Sequence, residues 1–316
     1  MRPTRPKQTL TSMRQSFGDT LYQLAKVDPR IYVVDAGLYP SLFLEKFKQD
    51  FAKRFIEAGV AESNATGVAA GLAKNGKVVF LTSFACFSPA LNWGVIKQSI
   101  CMNHANVKII GSHAGLASGD LGATHQMLED IALTRTMPGL HVFAPLDAVE
   151  TKKIVTTVSQ SHLPCYIRLS RPSSENYYDS KKSFTIGKSY LLHAGKDITI
   201  LGYGPLLTSV LSLDIRNWKL EIINCSSLKP LDEETILKSL KKTGHCLVIE
   251  DHQKIGGLGE AVSHLIATSG VKVKFAHLAV DNSFGQSGTP ELLYQHYGLS
   301  PSDIEKSINN LLSQKS

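Results

Sequence analysis

The feature that most limits the fold is a regular alternation of short β-branched or apolar runs with helical patterns. In the first half the runs are RIYVVD (30–35), RFIEAG (54–59), KVVFLTS (77–83), NVKIIGS (106–112), LHVFAP (140–145) and PCYIRLS (164–170). Strands that alternate with helices in this way predict a mostly parallel sheet covered on both faces. The polar stretch SSENYYDSKKS (173–183) has no apolar periodicity and reads as an interdomain linker. A second alternating unit follows, with strands at DITILGYG (197–204), LEIINCSS (220–227), HCLVIEDH (245–252) and VKVKFAHL (271–278), then a terminal helix near 301–314. A chain of 316 residues is long for a single hydrophobic core, which also favours two domains. The expected fold is therefore α/β, two doubly wound domains with mostly parallel sheets.

Local chemistry places several helix starts. Ser12 with Gln15, and Asp147 with Glu150, have the spacing of a capping box, in which side chains satisfy first-turn amides. Ser88 followed by Pro89 predicts an N-cap with proline at the first helical position.

Composition narrows the class. With 43% hydrophobic and 19% charged residues, and no apolar run of membrane-spanning length, neither disorder nor membrane insertion is expected. The opening MRPTRPKQTL is basic, lacks the apolar stretch of a secretory signal, and has two prolines that disfavour a targeting helix, so the expected location is cytoplasmic. Cys86, Cys101, Cys165, Cys225 and Cys246 are odd in number and widely spaced, which indicates reduced core thiols rather than disulfides or a metal motif. The net charge of +7 is spread along the chain and reads as a solvated basic surface rather than a nucleic-acid footprint.

In open parallel sheets ligands bind beyond the carboxyl ends of the strands, so the loops there are the places to look for chemistry. Glu62 opens a helix of small residues after the second strand; a carboxylate there is also what a helix dipole favours. The loop SHAGLASGDLGATHQ (112–126) carries His113 and His125 among glycines, positioned to move protons or bind hydroxyls, or simply packed. Arg168 and Arg171 close the sixth strand, where guanidinium groups bind carboxylate or phosphate, in a ligand or in a domain interface. Phe84 and Phe87 end the third strand; such aromatics usually serve the core, though one can stack on a flat cofactor ring. GDLG (119–122) and IGGLGEA (255–261) are not the glycine fingerprint of a dinucleotide site.

Taken together, MRQSFG, RFIEAGVAESNATGVAAGLA, SFACF, SHAGLASGDLGATHQMLEDIALTR, IRLSRP, IEDHQKIGGLGEAV and SFGQSGTPELLYQHYGLS resemble the transketolase family of thiamine-diphosphate enzymes over nearly the whole chain. The resemblance is to the half comprising the pyrimidine-binding and C-terminal domains, here 1–178 and 191–316 with a linker at 179–190. It implies a thiamine-diphosphate cofactor shared with a partner: the family's GDG…N diphosphate motif, which holds Mg²⁺, has no counterpart in this chain. The chain thus looks like the C-terminal subunit of a split transketolase, with two copies of each subunit expected and sugar phosphates as substrates.

By position, the resemblance makes Glu62 the cofactor-activating carboxylate, hydrogen-bonded to the pyrimidine ring so as to promote loss of the thiazolium C2 proton. It makes Phe87 the ring that stacks on that pyrimidine, with Phe84 its apolar neighbour. His113 and His125 match histidines that contact substrate hydroxyls and assist proton transfer, and Arg14, Ser41, His113 and Arg171 match phosphate-binding positions. The implied reaction transfers a two-carbon ketol unit from a ketose phosphate to an aldose phosphate.

Two departures bear on substrate preference. Leu121 stands where the family's GEDG loop has an aspartate, with Asp120 beside it and turned elsewhere if the loop is regular, and Ala90 replaces a common tyrosine. Among alternatives, 1-deoxyxylulose-5-phosphate synthase normally has arginine at the Phe87 position and is one longer chain. The β subunit of a 2-oxoacid dehydrogenase has a different loop from GATHQ, and a non-catalytic scaffold half has no need of Glu62, Phe87 and both histidines.

Overall fold

A computed structural model describes residues 10–211, 213 and 218–313; the basic start at 1–9 and residue 314 of the expected terminal helix lie outside the described residues. Helix α1 (Met13–Val27) precedes β1 (Ile31–Asp35), and α2 (Glu45–Asp50) precedes β2 (Phe55–Glu57). Helix α3 (Glu62–Lys74) leads to β3 (Val78–Phe84); α4 (Trp93–Val95), continued by a π-helical stretch Ile96–Cys101, leads to β4 (Val107–Ser112). Then come α5 (Asp130–Arg135), β5 (His141–Phe143), α6 (Ala148–Ser159) and β6 (Cys165–Arg168). Residues 169–189 contain no helix or strand beyond a single bridge from Ser174 to Thr11. The second half runs β7 (Tyr190–His193), β8 (Ile198–Gly202), α7 (Gly204–Leu211), β9 (Leu220–Asn224), β10 (Ser227–Lys229), α8 (Glu233–Thr243), β11 (His245–Gln253), α9 (Leu258–Ser269), β12 (Lys274–Val280), α10 (Pro290–His296) and α11 (Pro301–Ser313).

Two sheets result, in the orders β10-β5-β6-β4-β3-β1-β2 and β12-β11-β8-β9-β7. Both are parallel except for β10 on β5 and β7 on β9, so the expected α/β architecture of two mostly parallel sheets is the one observed. The central strands β3 and β4 are buried along their whole length, as sheets covered on both faces require. One apolar cluster continues between the sheets, from Val34, Val79 and Ile109 through Tyr166 to Leu201 and Val248. A second seats α1 and α6 on the opposite face of the first sheet, and a third covers the far face of the second sheet.

Each expected strand is present, and two more, β7 and β10, join them. Both are short and antiparallel at sheet edges, and β10 belongs by sequence to the second unit while pairing with Phe143 in the first. Sequence periodicity carries no information about such cross-pairing.

The caps divide. Ser12 accepts from the Gln15 amide at 3.3 Å and Asp147 from the Glu150 amide at 2.9 Å, as expected. The Glu150 carboxylate does not close a box, however. It accepts from the Leu146 amide, from Asn224 Nδ2 and from Ser226 Oγ (2.6, 2.9 and 2.6 Å), linking α6 to the end of β9, and burial pushes its pKa up to about 7. The helix start expected at Ser88 is absent: the Ser88–Pro89 peptide is cis, turns follow, and helix begins only at Trp93. Ser88 Oγ accepts from Asn92 Nδ2 at 3.0 Å rather than from a first-turn amide.

All five cysteines are free; Cys101, Cys165, Cys225 and Cys246 are buried and Cys86 half-buried. Among the described residues no helix is long and apolar enough to cross a membrane.

Candidate active site

The register of the first sheet gathers the candidate residues at one edge. Asp35 lies opposite Thr82, Phe84 opposite Ser112, and Gly111 opposite Arg168, so the loops after β1, β3, β4 and β6 leave the sheet together.

Glu62 is the first residue of α3 and only 8% exposed, and its carboxylate has no hydrogen-bond partner among the described residues. Its oxygens are not among the fully buried unpartnered atoms, so the carboxylate, though seated on a buried residue, remains free to accept a hydrogen bond. The small face of α3 seats it: Ala65, Ala69 and Ala73 pack against the sheet, and Asn92 pins the first turn. Asn92 Nδ2 donates to the Glu62 carbonyl (3.4 Å), to Thr66 Oγ1 (2.8 Å) and to Ser88 Oγ (3.0 Å), which fastens the Phe87 loop to the start of α3. Burial raises the Cys86 thiol to about 11, and the nearby Glu62 charge adds to the shift.

The rings form a continuous series. Phe84 and Phe87 are stacked with centroids 6.2 Å apart and planes 10° apart. His113 lies against Phe84 at 3.9 Å, and His125 meets Phe87 edge-on at 5.5 Å. The two histidines therefore bracket the aromatic pair. His113 has a left-handed backbone (φ 57°), and burial, then Arg14, Arg171 and His125, lower its pKa to about 3, so it is neutral at physiological pH. Ala90 packs against the neighbouring cluster of Ala85, Ala114 and Met127.

Cations collect beside His113. Arg14 reaches across from α1 to donate to the Ser41 carbonyl at 2.7 Å and to the Arg171 carbonyl at 3.2 Å, and burial and the Arg171 charge lower its pKa. Ser41 lies in the turn Tyr39–Leu42. That turn is held by Asp35, whose carboxylate accepts from the Leu38 and Tyr39 amides (2.7 and 3.0 Å) and from Thr82 Oγ1 (2.6 Å). Arg171 donates to the Ser118 carbonyl at 2.7 Å and forms an ion pair with Asp120. The loop is thus not regular: Gly119 (φ 68°, ψ −120°) kinks it, and Asp120 turns onto Arg171 while Leu121 follows.

Arg168, by contrast, is not at the site. It is buried, pairs with Asp130 at 3.0 Å and donates to the Asp251 carbonyl at 2.7 Å; Tyr166 adds a hydrogen bond to Asp130 at 2.7 Å. Its role is to join the sheets. Asp251 itself accepts from the Leu116 amide at 2.7 Å and so fixes the histidine loop from the second sheet. The sequence signal for these supports was present in the acidic residues within VVDAG and VIEDHQ, which interrupt otherwise apolar strands.

Comparison with known proteins identifies the architecture. Residues 10–175 match the transketolase pyrimidine-binding domain, and residues 187–304 the transketolase C-terminal domain. The chain belongs to the transketolase family.

Similar transketolase-family proteins include a putative transketolase C-terminal section from Methanocaldococcus jannaschii, 38% identical over 94% of this chain and 95% of that protein. An apulose-4-phosphate transketolase subunit from Phocaeicola vulgatus is 34% identical over 94% of this chain and 96% of its own length. A solved split-gene transketolase, described as an inactive beta4 tetramer, superposes with a TM-score of 0.89 at 35% identity, covering 96% of this chain and 99% of the other. A pyrimidine-binding domain implies thiamine-diphosphate binding. The residues present fit that group, because a buried, unpartnered carboxylate on α3 and a pair of stacked rings are what an aminopyrimidine needs to be held at one edge and one face.

Proposed function

We propose that this chain is the C-terminal subunit of a thiamine-diphosphate-dependent transketolase that moves a two-carbon ketol unit from a ketose phosphate to an aldose phosphate. It acts only with a separate subunit that carries the diphosphate-binding domain and its Mg²⁺. The observation that carries this reading is the buried, unpartnered carboxylate of Glu62 on the same sheet edge as the rings bracketed by His113 and His125. Its division into a pyrimidine-binding domain through residue 178 and a C-terminal domain from residue 191 is part of the same reading.

Thiamine diphosphate, when bound, supplies an electron sink for carbanion chemistry. Glu62 would hold the aminopyrimidine edge through a hydrogen bond, and Phe87, backed by Phe84, would support the ring face. His113 and His125 hold substrate hydroxyls and pass protons. Being neutral, His113 can accept or donate a hydrogen bond but brings no charge to a phosphate. That charge comes from Arg14 and Arg171, with Ser41 beside them.

Dependence on a partner is supported by the similar split-gene transketolase solved as an inactive beta4 tetramer and by the apulose-4-phosphate transketolase relative, itself one subunit of its enzyme. Sugar preference varies among the relatives, which include apulose-4-phosphate and 6-deoxy-6-sulfo-D-fructose transketolase subunits. Leu121 and Ala90 mark where this chain sets its own. Purifying the chain alone and with a partner that carries the GDG…N motif tests the proposal. Ketol transfer that appears only in the mixture supports it, whereas a stable complex inactive with every phosphosugar pair overturns it in favour of a scaffold.

A further inference from the structure

The ion pair between Asp120 and Arg171 has no counterpart in the roles assigned above. Arg171 directs Nη1 at the Ser118 carbonyl and the Asp120 carboxylate, while its Nε and Nη2 have no hydrogen-bond partner among the described residues. Arg14 stands next to it, close enough that the Arg171 charge lowers the Arg14 pKa. Of the two guanidinium groups, only Arg171 holds a protein carboxylate; Arg14 donates to backbone carbonyls. The Asp120 carboxyl is itself held below the usual range by its hydrogen bond to Arg171 and that group's charge, so it stays ionised.

Asp120 is exposed, yet its backbone is not free to drift. Ser287 Oγ donates to its carbonyl at 3.2 Å. On either side Gly119 and Gly122 take left-handed φ values of 68° and 73°, and the segment Ser287–Pro290 packs so closely on them that a Cβ at Gly122 would overlap Ser287. The second domain therefore clamps the kink that aims this carboxylate at the arginine.

We propose that Asp120 is a specificity-determining counter-anion: it competes with the phosphate of the substrate for Arg171 and holds the affinity for phosphorylated ligands below what the two arginines alone would give. This rests on the reading of Arg14 and Arg171 as phosphate-binding residues. A carboxylate at hydrogen-bond distance from a guanidinium must be displaced by, or repel, an incoming dianion. Its neutralisation deletes one negative charge from the subsite and weakens the hold on one Nη1 N–H, the other still donating to the Ser118 carbonyl.

The test uses inorganic phosphate titrated into the full chain by calorimetry, with Asp120→Asn and Arg171→Ala variants, and the Michaelis constants of the assembled complex for phosphorylated substrates. Asp120→Asn is expected to tighten phosphate binding and lower those Michaelis constants by about twofold to fivefold, the range for an exposed ion pair. Arg171→Ala is expected to weaken phosphate binding. Equal or weaker binding by Asp120→Asn, with Arg171→Ala still harmful, overturns the counter-anion role and leaves the phosphate site standing. Phosphate binding unaffected by Arg171→Ala overturns the phosphate site itself, and the proposal with it.

Discussion

The imidazole of His113 lies against the ring of Phe84 with centroids 3.9 Å apart, on a residue whose backbone is left-handed and whose surroundings are cationic. Burial and the charges of Arg14 and Arg171 both oppose its protonation, lowering the pKa from 6.5 to about 3.

The first prediction concerns that proton. The imidazole signals of His113 followed by NMR should not titrate between about pH 5 and 8, where an ordinary histidine does. The unfolded chain binds a proton here near pH 6.5 and the folded chain does not until pH falls to about 3. The contribution to stability is therefore complete above the unfolded value and is lost as pH falls through this window. Urea midpoints of the wild type and His113→Gln, compared at neutral and acid pH, should converge as pH falls; parallel profiles would contradict the assignment.

Arg168 and Asp130 form a pair that is 7% and 0% exposed at the side chains, and the pair joins the two sheets. Asp130→Ala leaves the buried guanidinium without its counter-charge, though still bonded to the Asp251 carbonyl, and the Tyr166 hydroxyl without its acceptor, and should cost about 3–5 kcal/mol in urea unfolding. A loss no larger than that of an exposed ion pair would show that Arg168 finds another partner.

Gly115 has φ 81°, and a Cβ there would overlap the carboxylate of Asp251, which accepts from the Leu116 amide. Gly298 has a comparable φ of 69° with nothing within 4 Å of the same position. Gly298→Ala should therefore show backbone strain alone, about 1 kcal/mol, and Gly115→Ala distinctly more, together with weaker phosphate binding as the His113 loop shifts. Equal destabilisation by the two variants would mean that the contact with Asp251 does not constrain the loop.

How far the molecule could be read beforehand depends on the kind of interaction. Strands such as KVVFLTS and NVKIIGS were legible because full burial demands unbroken apolar runs, and the caps at Ser12 and Asp147 because they are local. Glu62 was legible as a helix-opening carboxylate, though only the family motifs distinguished a reserved carboxylate from a capping one. Long-range features were not. The pairing of β10 with β5, the reach of Glu150 to Asn224 and Ser226, and the seating of Arg168 on Asp130 join residues far apart in sequence. Ser88 misled because Ser-Pro fits a helix start equally well as a turn, and Asn92 decides between them by binding Ser88 Oγ and Thr66 Oγ1 together.

The central claim is that Glu62 is kept buried and unpartnered in this chain to hold and activate thiamine diphosphate. The most direct measurement is the rate of deuterium exchange at C2 of thiamine diphosphate bound to the assembled complex, for the wild type and Glu62→Gln. The account predicts that folding and assembly are retained while exchange slows by roughly two orders of magnitude or more, as expected on losing a group that drives proton transfer. Exchange at the wild-type rate in a folded, assembled Glu62→Gln complex would contradict it.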